Sequence, residues 1–267
     1  HLFQNEYQEA YDLAQEVITS GEYELYPDYE GIFRREGEHS SESIFEVSTV
    51  ALEAGGGGSQ FNEVQGIRGN PNNGWGFNGP SDDLMAAYEE NDPRLAATII
   101  QDGDTLSTGE IVKADPNMGD NARFSKKAWI PERPAIGFGN SGANIRLFRY
   151  ADLLLIAAET ANEIGNSSQA LVYVNMVRER ARQGNEDILP DLTVTEQSAL
   201  RDAIYHERRV ELAMEQHRYF DLVRQGRAQE VFAELGITWT PGKHEVYPVP
   251  QSEIDISGGS ITQNPGY

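Results

Sequence analysis

The stretch "FRYADLLLIAAETANEIGNSSQALVYVNMVRERA", residues 148–181, limits the architectures open to this chain more than any other. Leu153, Leu154, Ala157, Ala158, Ala161 and Ile164 recur at the three-and-four spacing of one helix face, predicting a helix from about Phe148 to Ile164. Gly165 stops it, and Asn166-Ser167-Ser168 supplies caps for a second helix carrying Ala170, Leu171, Val174, Val177 and Ala181. Two helices joined so tightly return antiparallel, as a helical hairpin. A helix of the same kind is predicted from about Asn5 to Thr19, with Tyr7, Ala10, Tyr11, Ala14, Val17 and Ile18 in phase and Gly21 as its stop. A further one runs from near Thr195 to about Gln216, and helical character continues through "RYFDLVRQG" toward Leu235.

These segments predict a mostly α fold of tetratricopeptide-like hairpins, an α-solenoid scaffold, although the full repeat pattern is not spelled out. Four regions are expected inside one domain spanning 1–267: a helix over 1–20, a loop-rich ligand-facing region over 21–147, helical repeats over 148–235 and an extended tail over 236–267. The second region is dense in Gly, Asn, Pro and Ser, with one short strand expected at Ser43 to Ser48.

The formal net charge of −22, from 21 basic and 43 acidic residues, speaks against a nucleic-acid partner. Only four of the basic residues are lysine, which fits either a high-salt habitat or a bias in base composition. With no cysteine there is no disulfide, no thiolate nucleophile and no Cys-ligated metal.

"HERRVELAMEQH", residues 206–217, has the outline of a zinc-protease helix, but valine stands at position 210, where the second imidazole is needed. His206 and His217 share a face yet lie roughly 16 Å apart along a helix axis, too far to chelate one ion. A structural reading fits better. Ala199, Ala203, His206, Val210, Ala213 and Met214 form a packing face, while Glu207, Glu211 and Glu215 follow one another on the face of Leu200 and Ile204. Carboxylates in that position need guanidinium partners, and Arg208, Arg209 and Arg218 are the nearest in sequence.

The same residues carry a family resemblance. Ile204, Glu207, Arg208, Glu211, Leu212, Glu215, Arg218, Asp221, Leu222, Arg224 and Gly226 resemble the signature helix region of the SusD/RagB family. Arg149, Ala151, Asp152, Leu155, Ala158 and Glu159 resemble a second family helix, and "VYPVPQSEID" with "ITQNPGY" resembles its C-terminal end. "AYDLAQEVITSGEYEL" and "ESIFEVS" resemble its middle portion, and "GWGFNGPSDDLMAAYEENDPRL" resembles the loop and helix that follow there, all in order. Gln216 departs from a usual glycine and Gln225 from a common tryptophan. Family members run to roughly double this length, so the resemblance makes this chain a C-terminal portion.

The resemblance implies a non-enzymatic lipoprotein on the outer face of the outer membrane. It would bind an oligosaccharide, or in some members a peptide, and pass it to a SusC-like TonB-dependent transporter. Membrane attachment is implied only through an N-terminal lipid anchor that this chain lacks. No cofactor is implied. A protein-binding helical scaffold without a small ligand is the competing reading.

Sugars present apolar C–H faces and many hydroxyls, so their sites combine aromatic rings with amide and guanidinium donors. The loop "RGNPNNGWGFNGPSDD" offers Arg68, Asn73, Trp75 and Phe77, with Asn70, Asn72 and Asn78 beside them, and Trp129 in "KKAWIPERP" is a further candidate. Trp239 is expected to pack. "QDGDTL" fails the calcium-loop pattern at Leu106 and Lys113, leaving room only for a looser calcium site. Asp82, Asp83 and Glu132 would be the carboxylates of a glycosidase, a reading supported by composition alone.

Overall fold

A computed structural model of the chain describes residues 1–52, 57–71, 74–119, 122–131 and 141–267. The chain divides into two compact units, His1–Glu215 and Gln216–Tyr267.

The first unit is built around the expected hairpin. Helix α1 (Tyr7–Ser20) buries Ala10 and Ala14 and ends at Gly21, whose φ of 68° places it in the left-handed region that favours glycine. The hairpin helices are α5 (Tyr150–Glu163) and α6 (Ser167–Ala181), and α7 (Gln197–Glu211) follows. Helix α5 packs against α1, α6 and α7, and its small residues Ala151, Ala157, Ala158 and Ala161 let those helices approach closely. Leu154, Leu155, Val174, Val177, Leu200 and Ile204 fill the shared core. Two amides clasp the ends of α5 and α7: Asn162 Nδ2 donates to the Gln197 carbonyl at 2.9 Å, and Gln197 Nε2 returns a bond to the Asn162 carbonyl at 2.8 Å.

Strand β1 (Ser43–Val47) forms as expected, and its antiparallel partner is β6 (Ile145–Arg149). The helix expected from Phe148 therefore starts at Tyr150, because Phe148 and Arg149 continue an extended ladder before the chain turns. The region expected to be irregular holds more order than its composition suggests. It carries α2 (Phe61–Gln65), α3 (Asp82–Ala87) and α4 (Pro93–Thr98). It also carries two small antiparallel pairs, β2 (Gly69–Asn70) with β4 (Lys113–Ala114) and β3 (Ile99–Gln101) with β5 (Arg123–Ser125).

The glutamates of α7 anchor a buried charge network, as their spacing predicted, but their partners come from elsewhere. Glu207 accepts from Arg94 at 2.5 Å and from Arg178 at 2.8 Å. Glu211 accepts from Arg94 at 3.1 Å, Arg149 at 2.7 Å and Arg180 at 2.5 Å. Glu215 accepts from Arg149 and from Lys127 Nζ at 2.6 Å, while Glu42 closes the circuit against Arg149 and Arg180. Arg208 pairs instead with Asp152 and Arg209 with Asp83. The face bearing Leu200, Ile204, Glu207 and Glu211 is thus the most deeply buried, whereas Ala199 is exposed. Burial alone would raise the Glu215 carboxyl, but Arg149 and Lys127 outweigh it and hold it at about 2.

Lys127 titrates the other way. Its ammonium lies 5.0 Å from the Tyr29 ring centre and 4.7 Å from that of Phe33, and burial brings it down to about 8 against the pull of Glu215. The unfolded chain keeps this proton up to about pH 10.5, so between pH 8 and 9.5 it binds more protons than the folded chain. Stability to urea is expected to rise across that window by on the order of 1–2 kcal/mol. A Lys127→Met variant should lack the rise; a wild-type midpoint that stays flat or falls there contradicts the assignment.

The second unit contains α8 (Arg218–Arg224), α9 (Ala228–Glu234) and α10 (Gln251–Ile256). The helical character expected through residue 235 breaks at Gly226, with φ 68°, into two short helices. The tail expected to be extended includes α10. Trp239 packs as anticipated, stacked on Phe232 at 5.2 Å, with Tyr219 6.2 Å away. The Gln263 side-chain amide holds the tail to the Val249 backbone, accepting from Val249 N at 2.7 Å and donating to its carbonyl at 2.9 Å.

Candidate functional site

Helix α2 ends at Gly66, and its last carbonyls, like those of any helix end, need donors. The glycine-rich loop supplies them. Trp75 N donates to the Glu63 carbonyl at 3.0 Å, Gly76 N to Gly66 at 3.1 Å and Phe77 N to Val64 at 2.9 Å. This strap fixes Trp75 and Phe77, two residues apart, with their rings 6.1 Å apart and inclined at 84°. Both rings stay accessible, at 41 % and 59 %. The loop therefore presents two perpendicular aromatic surfaces on a backbone that hydrogen bonding has already ordered.

Glycine is needed between them. Gly76 has φ 72°, and a Cβ there would come 2.8 Å from Arg68 Cβ and 3.0 Å from Met118 Cε. A Gly76→Ala chain is expected to lose about 1–3 kcal/mol of stability through backbone strain and crowding. Urea unfolding checks this; an unchanged midpoint would mean the loop is not held as described.

The same contact places the root of Arg68 beside the Trp75–Phe77 segment. Arg68 Nε donates to Asp115 Oδ2 at 2.9 Å, and the arginine side chain is half exposed. Asp115 also caps the turn after it, accepting from Asn117 N at 2.9 Å and Asn117 Nδ2 at 2.8 Å. The Asn117 amide first, and Arg68 with it, hold the Asp115 carboxyl below its ordinary value, so it stays charged. Asn78 Nδ2 donates to Gln65 Oε1 at 2.8 Å and ties the far end of the loop to α2.

The structure brings together Trp75, Phe77 and Arg68, while Asn73 lies outside the described residues. Trp129 is buried rather than presented. It is 2 % exposed, packed among Ile67, Ile100 and Phe124, with the Arg34 guanidinium 5.2 Å from its ring centre. With no open face it has no surface on which a sugar could stack. Asp115, in contrast, was not singled out in the sequence, since its role depends on the pairing of β2 with β4.

The weaker motifs resolve into structure. Asp102 Oδ1 accepts from Ala114 N and Asp104 Oδ2 from Gln101 N, both at 2.7 Å, so "QDGDTL" uses its carboxylates to cap a hairpin. Among the described residues no three His, Asp or Glu side chains converge as a metal site. Asp82 pairs with Arg123 and Asp83 with Arg209, each carboxylate facing a guanidinium, and Glu132 lies outside the described residues. A cleft of about 520 Å³ beside α4 has an aliphatic floor of Leu95, Ile99 and Leu106, and no aromatic ring lines it.

Comparison with known proteins places these features in context. The model of the SusD family matches residues 41–267. SusD-like protein P2 of Formosa agariphila is 30% identical over 301 residues, an alignment covering all of this chain and 57% of that protein. A solved laminarin-binding SusD-like protein is 30% identical with a TM-score of 0.78, covering 100% of this chain and 60% of its own. Surface glycan-binding protein A from Bacteroides thetaiotaomicron, solved with laminarihexaose, is 27% identical with a TM-score of 0.78, covering 98% of this chain and 61% of its own. This chain spans less than two thirds of each.

Proposed function

The chain belongs to the SusD family, and on that premise we propose that it is a non-catalytic binding protein for oligosaccharides. In this reading the ligand rests on the Trp75–Phe77 corner, with Arg68 and Asn73 donating to its hydroxyls. One observation carries most weight: two accessible rings lie in fixed perpendicular planes on a loop already strapped to α2. Rings offered this way accept C–H faces of a pyranose without paying for their own ordering on binding. Two relatives solved as laminarin- or laminarihexaose-binding proteins make a laminarin-type oligosaccharide the first ligand to test.

The finer reading follows family context. The bound oligosaccharide is handed to a SusC-like TonB-dependent transporter at the cell surface, where an N-terminal lipid anchor on a longer chain would hold the protein. No step of bond cleavage is assigned to it: Asp82 and Asp83, the described carboxylates of the glycosidase reading, are each engaged by arginine.

Calorimetric titration with laminarihexaose and a panel of other hexaoses, run beside a reducing-sugar assay, tests this reading. Saturable binding with no new reducing ends supports it. Accumulating reducing ends would make the chain an enzyme. A blank panel would leave the helical scaffold to bind a protein.

A further inference from the structure

We propose that the ligand taken at this corner is an uncharged oligosaccharide, and that the Arg68–Asp115 pair sets that choice. This rests on the carbohydrate-binding reading above and narrows it to a class of glycan.

An arginine whose Cβ lies against the backbone between two aromatic residues would ordinarily suit an acidic sugar, since its planar fork matches a carboxylate or sulfate. Here the fork is already balanced. Asp115 Oδ2 sits 2.9 Å from Arg68 Nε, and two donors of Asn117 fix that carboxylate in place. The terminal nitrogens of Arg68 have no partner among the described residues, so they remain donors for sugar hydroxyls. What Asp115 cancels is the charge, leaving the hydrogen-bonding capacity.

The surroundings point the same way. The described residues of 61–83 and 101–125, the two segments that supply Trp75, Phe77, Arg68 and Asp115, hold three basic residues (Arg68, Lys113 and Arg123) against seven acidic ones. Arg123 is itself paired with Asp82 at 2.6 Å. The whole chain carries −22, so an anionic glycan meets repulsion on approach and finds Arg68 already balanced on arrival. A neutral glycan meets neither cost and still stacks on Trp75 and Phe77.

The test compares laminarihexaose with the same hexaose oxidised at C6 to carboxylates, at low and high salt, in the wild type and in Asp115→Asn. The wild type should bind the carboxylated ligand about tenfold more weakly at low salt, and the gap should narrow at high salt as charge is screened. Asp115→Asn should narrow it by about fivefold, the size of one unit charge near a wet surface. Equal or tighter binding of the carboxylated hexaose overturns the inference. So does a gap indifferent to both salt and Asp115→Asn, which would be steric. If neither hexaose binds, nor any glycan of the wider panel, the carbohydrate reading itself fails and takes this one with it.

Discussion

A Glu211→Leu chain is expected to lose about 3–5 kcal/mol of folding stability, the cost of breaking a buried ion network by removing one partner. Glu211 is fully buried and receives bonds from Arg94, Arg149 and Arg180. Leucine fills much of the volume but leaves three guanidinium groups facing an apolar side chain. Arg149 keeps Glu42 and Glu215, and Arg180 keeps Glu42, so the network weakens without being abolished. Because domains are typically stable by only about 5–15 kcal/mol, such a loss puts the folded state at risk. Urea unfolding at pH 7 measures it, with the exposed Glu16→Gln as a reference change. A loss below about 1 kcal/mol would mean the carboxylate is not buried against those arginines.

The acid limb of stability has the same origin. Glu211 and Glu215 both titrate below their ordinary range, with opposing arginine and lysine charges overcoming burial. Unfolded glutamate takes up its proton near pH 4.5, whereas folded Glu215 holds out to about 2. Their contribution is therefore complete above pH 4.5 and is lost as the pH falls toward 2.

The sequence made the network visible as a spacing of glutamates but concealed who satisfies it. Arg94 lies 113 and 117 residues from its two α7 partners, and Arg149 lies 62 residues from Glu211. Arg208 and Arg209, one turn away, were the natural expectation, yet local spacing says nothing about which arginines the tertiary fold delivers. The hairpin of α5 and α6 was legible because its periodicity runs over four turns in each helix. Strand β6 was not: Phe148 and Arg149 fit the start of that period, and only pairing with β1, about a hundred residues earlier, decides otherwise.

Helices α3 and α4 are too short for periodicity to register, and a helix after the Trp75 loop was expected only from the family resemblance, although both carry cap residues. Ser81 Oγ accepts from Leu84 N, and Asp92 precedes Pro93 at the first turn of α4. In the candidate site, aromatic residues among glycines were enough to mark Trp75 and Phe77. Trp129, in "KKAWIPERP", lacks those glycines, yet nothing in that stretch signals that it is buried. It packs with Ile67, Ile100, Phe124 and Arg34, residues distant in sequence, a property of the fold that local composition does not disclose.

Trp75→Ala is expected to weaken oligosaccharide binding by about thirtyfold or more, the loss typical of a central aromatic contact. The folded state should hardly notice. Trp75 is 41 % exposed and belongs to no core cluster, so its main side-chain debt is the edge-to-face contact with Phe77. That contact is worth roughly 0.5–1.5 kcal/mol. Binding and stability should consequently separate in this variant, where a misfolded loop would lose both. Phe77→Ala should show a smaller binding loss, because Phe offers less surface than Trp. If one pyranose wedges into the corner, the two losses should not add: removing either ring spoils the angle the other helps to define. A double mutant whose loss equals the sum of the single losses would mean two separate sugar units on two independent platforms. A Trp75→Ala chain that binds every glycan as the parent does would remove the corner from the site altogether.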